Sequence, residues 1–127
     1  MHPNNPFYKF LGPEDHLQHQ VIEWAKAQHP KLKFHHSPNE GRRSKFEQCK
    51  FKYLGSDRGF PDLIFPALKL VIELKVKPNK VTPAQQEWLD YFVSIGWKAI
   101  VSYTFDDAIR VIECEIKKIL IAPAKQN

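Results

Sequence analysis

The stretch Phe60-Pro61-Asp62-Leu63-Ile64-Phe65, followed by Val71-Ile72-Glu73-Leu74-Lys75-Val76, reads as two short apolar β-strands with Asp62, Glu73 and Lys75 set among them. A charge in an apolar strand is costly unless it is paired, solvated or bound to a metal ion. The link Pro66-Ala67-Leu68 is short, so the two strands form an antiparallel hairpin. Residues two apart in a strand share a face, which points Glu73 and Lys75 one way and Ile72, Leu74 and Val76 the other. In such a hairpin the start of one strand lies beside the end of the next, so all three charges meet at one end. Two converging carboxylates repel, and a divalent cation between them removes the repulsion. An all-oxygen ligand set selects a hard cation such as Mg²⁺ or Mn²⁺. A salt bridge from Lys75 to one carboxylate is the simpler alternative. The hairpin alone leaves both open.

Working outward, Gly12-Pro13 starts a helix, with Glu14 and Asp15 suited to the positive end of its dipole. Leu17, Val21, Trp24 and Ala25 recur at helical spacing over residues 13–28, and Pro30 ends the run. Residues 32–36 alternate like a short strand, residues 46–54 are compatible with an extended segment, and residues 55–59 form a loop. Beyond the hairpin, Thr82 caps a helix with Pro83 at its first position, carried by Trp88, Leu89, Phe92 and Val93 and stopped by Gly96. Residues 98–104 are β-branched and read as a buried strand, and a last helix runs from Phe105. The predicted order is α-β-β-β-α-β-α: an α/β domain with a mixed β-sheet flanked by helices. Residues 1–12 are read as an N-terminal arm, 13–120 as a single domain and 121–127 as a C-terminal tail. Trp24 and Trp88 fall on the apolar stripes as core residues. His35 and His36 read as a strand end, and Asp106-Asp107 as a helix N-terminus.

The 127 residues carry a formal net charge of +5, which favours a polyanionic partner. Arg42, Arg43, Lys45, Lys50, Lys52 and Arg58 are interleaved with Phe46, Phe51 and Tyr53. Such a segment can track a phosphate backbone and offer rings to bases, or be a solvated basic loop with its aromatics turned inward. No apolar run reaches the length of a membrane span, and the first residues lack the pattern of a signal peptide, so an intracellular protein is expected. Cys49 and Cys114 have no metal-ligand spacing and read as two thiols rather than a disulfide.

Pro61-Asp62 and Glu73-Leu74-Lys75, followed by "KVTPAQQEWL" and "SIGWKAIVSYTFDDAIRVI", resemble the VRR-NUC branch of the PD-(D/E)XK nucleases. Upstream, "EDHLQHQVIEWA" is similar to that family's opening helix, and "HHSPNEGRRS" through "YLGSDRGFPDLIF" to its connecting region. The resemblance runs from Glu14 to Ile112 with order and spacing kept. It implies a restriction-endonuclease-like core and a Mg²⁺- or Mn²⁺-dependent endonuclease acting on branched DNA such as a four-way junction. The setting it implies is recombination, repair or phage replication, in a bacterial or phage-encoded homodimer. Asp62 and Glu73 match the metal-binding carboxylates, with the Leu74 carbonyl as a further ligand and Lys75 as the catalytic lysine. Glu14 matches the acidic residue of the first helix that completes the metal site, with Glu23 as the alternative. Gln85 matches the glutamine near the active site, with Gln86 beside it as the alternative, and Gly59 matches a glycine at a sharp backbone turn. Two other readings stand beside the nuclease. One is a non-catalytic DNA-binding module or subunit of a larger complex; the other is a basic protein-interaction domain.

Overall fold

A computed structural model of the chain describes residues 4, 6, 8–37 and 58–121. A single 3₁₀ turn, Tyr8–Phe10, leads into helix α1, Pro13–Gln28. Strands β1 (His35–His36), β2 (Leu63–Phe65) and β3 (Leu70–Leu74) follow, then helix α2 (Pro83–Ser94), strand β4 (Lys98–Ser102) and helix α3 (Phe105–Ile121). The α-β-β-β-α-β-α order is the one expected. The extended segment at 46–54, Cys49 and the C-terminal tail from 122 lie outside the described residues. Cys114 is an exposed free thiol.

The four strands form one mixed sheet in the order β1-β2-β3-β4. β1 and β2 pair antiparallel, as do β2 and β3, whereas β3 and β4 run parallel. The hairpin link is a 3₁₀ turn, Pro66–Leu68, closed by Lys69 in the left-handed region at φ 48°. That residue is why β3 begins at Leu70. Lys69 still anchors the sheet: its carbonyl accepts a 2.8 Å hydrogen bond from the Lys98 N–H at the entrance to β4.

Alternation along the strands divides the core in two. Leu63, Phe65, Leu70, Ile72 and Leu74 face α1 and α3, where Leu17, Val21, Ile22, Ala108 and Ile112 meet them. Ile64, Val71, Ala99 and Val101 face α2 and its Leu89 and Phe92. The sheet is therefore covered by helices on both faces, and its central strand β3 is buried throughout. Trp24 and Trp88 are half-buried and pack against these cores rather than lying inside them. Among the described residues no helix is long and apolar enough to cross a membrane.

Both α-helices that flank the hairpin in the chain start on local signals. The Gly12 N–H donates to the Asp15 carboxylate at 2.9 Å, satisfying one orphan donor of α1. At α2, Thr82 Oγ1 accepts from the Gln85 N–H at 3.2 Å while Gln85 Oε1 accepts from the Thr82 N–H at 2.9 Å. This reciprocal pair is a capping box, spelled Thr-Pro-Ala-Gln in the sequence.

Candidate active site

The hairpin register pairs Leu63 with Ile72, so the next residues outward are Asp62 and Glu73. Both side chains project on the α2 face of the sheet, one step beyond Ile64 and Val71. The Leu74 N–H donates to Asp62 Oδ2 at 2.7 Å, tying the carboxylate across the hairpin to β3. Lys75 continues β3; its N–H donates to the Ser102 carbonyl of β4 at 3.0 Å, and its side chain brings Nζ to 4.0 Å from Glu73 Oε1. Asp62, Glu73 and Lys75 thus converge as the strand period and the short link require.

Their surroundings are short of solvent. Glu73 is 2 % exposed and Lys75 6 %. Glu73 Oε2 is buried with no hydrogen-bond partner among the described residues. Burial pushes the Glu73 carboxyl up to about 9, and the Asp62 charge beside it adds to the rise more than Lys75 offsets it. Burial also raises Asp62, to about 6, against the lowering effect of the Leu74 N–H. Lys75 alone is therefore a poor complement to two carboxylates. A 4.0 Å ammonium contact is long for a charge-assisted hydrogen bond, and it leaves one Glu73 oxygen unserved.

Other elements aim the pair. Gln18, on α1, donates from Nε2 to the Ser37 carbonyl at 2.9 Å and, more weakly, to the Asp62 carbonyl at 3.5 Å. The Ser37 N–H donates to the same Asp62 carbonyl at 2.8 Å, and Ser37 Oγ donates to the Pro61 carbonyl at 3.0 Å. The Pro61-Asp62 backbone is thus clamped from α1 and from the end of β1. Neither Gln18 nor Ser37 was singled out from the sequence, because both reach Asp62 only through chain-distant contacts.

The remaining candidates divide. Glu14 is half-buried on α1, and its charge reaches Asp62 and Glu73, raising both; Glu23 is exposed and is not among the groups that shift either. Glu14 is held by Asn79, whose Nδ2 donates to Glu14 Oε1 at 3.1 Å. Among the described residues no three His, Cys, Asp or Glu side chains close on one point as a metal cluster, so Glu14 stands outside the Asp62–Glu73 pair. Gln85 lies on the first turn of α2 with its amide oxygen committed to the Thr82 cap, and Gln86 bonds Asp90 at 2.8 Å. Gly59 has φ +83°, and a Cβ there would sit 2.6 Å from the Ala84 carbonyl carbon and 2.7 Å from the Gln85 nitrogen. Its lack of a side chain serves close approach to α2 as well as the turn. Arg58 is exposed beside that turn; Arg42, Arg43, Lys45, Lys50 and Lys52 lie outside the described residues.

An orphaned buried oxygen, two acidic groups held above their ordinary range, and an all-carboxylate donor set fit a hard divalent cation. Asp62 and Glu73 are the residues that would hold it. The chain matches the VRR-NUC domain family over residues 7–106. It is also similar to a solved structure described as a VRR_NUC domain protein, with 34% sequence identity and a TM-score of 0.68 over 84% of this chain and 90% of that one. Comparison with curated proteins gave no match. The matched span encloses the whole hairpin, the α1 clamp and the α2 cap, and the chain belongs to the VRR-NUC family, a family of nucleases.

Proposed function

We propose that the chain is a Mg²⁺- or Mn²⁺-dependent endonuclease that hydrolyses phosphodiester bonds in branched DNA. The observation that carries this reading is the half-buried Asp62 against the buried Glu73, whose second oxygen is unserved beside the Lys75 ammonium. A bound cation would supply charge neutralisation and a water acidic enough to attack at neutral pH. Asp62 and Glu73 would hold it, with the Leu74 carbonyl and Glu14 as the further donors that the family resemblance implies. Lys75 lies where its ammonium can orient the attacking water or share charge developing on the phosphate oxygens. The Leu74 N–H and the Gln18–Ser37 clamp hold Asp62 in one orientation, so less ordering remains to be done when substrate binds. Gln85 closes the site from the first turn of α2. Arg42, Arg43, Lys45, Lys50, Lys52 and Arg58 supply the phosphate contacts.

The net charge of +5 supports a polyanionic substrate. A domain of this size offers few contacts to a branched DNA, and a homodimer would bring two sites to a four-way junction. Fluorescently labelled linear duplex, flap, splayed-arm and four-way-junction DNA, incubated with Mg²⁺, Mn²⁺ or EDTA, test the activity. The wild type is expected to cut branched DNA in Mn²⁺ and not in EDTA. Asp62→Ala, Glu73→Ala and Lys75→Ala are each expected to lose at least about 100-fold in rate, a loss typical of removing one essential charge-stabilising group. Equal cutting by the variants would contradict the assignment.

A further inference from the structure

A cleft of about 460 Å³ opens along α2, lined by Arg58, Ala84, Glu87, Trp88 and Tyr91. That volume falls within the roughly 300–1,000 Å³ of sites that hold compact organic ligands. Among the described residues, four of the five that line it are at positions i, i+3, i+4 and i+7 of α2, one stripe of one helix. Its rings are pre-set. Trp88 is braced edge-on by Phe60, with centroids 4.9 Å apart, and Tyr91 stands against Trp88 at 88° with centroids 6.0 Å apart. Two ring planes at a right angle form a corner, and Tyr91 remains 53% exposed.

The same short segment builds this corner and the carboxylate pair. Arg58 lines the cleft, Gly59 lies on the first turn of α2, Phe60 braces Trp88, and Pro61 and Asp62 enter the hairpin. Four residues span at most about 14 Å, or about four base steps at ~3.4 Å each. The Arg58 end of the cleft is therefore a near neighbour of anything held at Asp62 and Glu73. The polar groups also give it a direction. Glu87 repels phosphate and accepts from N–H donors of a base edge, while Arg58 favours phosphate at the end nearer Asp62.

We propose that this cleft is a subsite for an unpaired nucleobase flanking the phosphodiester addressed by Asp62 and Glu73. The base stacks at the Trp88–Tyr91 corner with its N–H edge toward Glu87, and its phosphate lies toward Arg58. The proposal rests on the nuclease reading and sharpens it: the preferred substrate carries an unpaired nucleotide within a few steps of the cut. A stacked base typically contributes enough to change affinity by about tenfold or more.

Binding in EDTA separates this from cleavage. The probes are a splayed-arm DNA with 2-aminopurine at the first unpaired position, and a fully paired duplex of the same length. Wild type is expected to quench the 2-aminopurine on binding. Tyr91→Ala should weaken splayed-arm binding about tenfold and leave duplex binding unchanged, while Tyr91→Phe keeps wild-type affinity. Tyr91 is half-exposed, and an unchanged melting temperature confirms that the variant is folded. Absence of quenching, or an equal effect of Tyr91→Ala on both DNAs, overturns the subsite. If wild type cuts branched DNA in Mn²⁺ while Tyr91→Ala changes neither affinity, the subsite fails and the nuclease stands. Selective quenching without cutting upholds the subsite and removes the nuclease.

Discussion

Ionising Glu73 is costly in the metal-free protein: it is buried, it faces Asp62, and among the described residues its cation partner is an ammonium 4.0 Å away. A carboxyl whose folded pKa lies above its ordinary value stabilises the fold fully below that ordinary value. The contribution disappears as pH rises through the folded value. For Glu73 this window runs from 4.5 to about 9, and for Asp62 from 3.8 to about 6. The metal-free protein should therefore lose stability from pH 5 to pH 9. Glu73 carries most of that loss, because its window is the wider of the two, and the loss should appear as a fall in Tm across that range. Glu73→Gln keeps the shape and removes the titration, so its Tm should change much less across the same range. Parallel slopes for the two proteins, measured by thermal melts in EDTA, would contradict the assignment. The charges themselves were legible in the sequence, because period-two spacing and a three-residue link leave Asp62, Glu73 and Lys75 little choice of meeting place. Their degree of burial was not legible: it depends on α2 and β4, which enclose the β3 end from residues well downstream.

At the scale of elements, the sheet holds one carboxylate and the first helix steadies the other. Gln18 and Ser37 bond the Pro61 and Asp62 carbonyls without touching either carboxyl group. Removing a partner that orients a metal ligand commonly weakens metal binding 10- to 100-fold, and about tenfold is expected for one hydroxyl. Ser37→Ala should therefore weaken Mn²⁺ binding about tenfold and cost about 1 kcal/mol of stability, while Ser37→Thr, which keeps the hydroxyl, recovers both. A stability loss with unchanged Mn²⁺ affinity would reduce Ser37 to a structural role. Element order and most boundaries followed from apolar periodicity and from Pro13, Pro30, Pro83 and Gly96. The shortfalls have local causes. β1 is confined to His35–His36 because its partner β2 offers only Leu63–Phe65, and β3 waits for Lys69 to leave the left-handed region. Thr82-Pro83-Ala84-Gln85 carried a capping-box signature that the sequence reading used only in half, taking Thr82 as a cap and Gln85 for the site.

For the whole molecule, a mixed sheet covered on both faces leaves one end of the hairpin as the place where polar chemistry is concentrated. Membership of the VRR-NUC family gives that place its reading as a nuclease site. A second copy of the chain is expected when the substrate is a four-way junction: sedimentation at micromolar concentration should give twice the 14.9 kDa of one chain. A monomer mass, free and on junction DNA, would contradict the dimer without touching the active site. The nuclease reading requires that Asp62 and Glu73 hold a divalent cation. Mn²⁺ titration at pH 8, followed by the loss of the free-ion electron paramagnetic resonance signal, tests it most directly. Wild type should bind Mn²⁺ saturably and Glu73→Gln and Asp62→Asn should not, while both variants remain folded; equal binding by all three proteins, or none by the wild type, would contradict it.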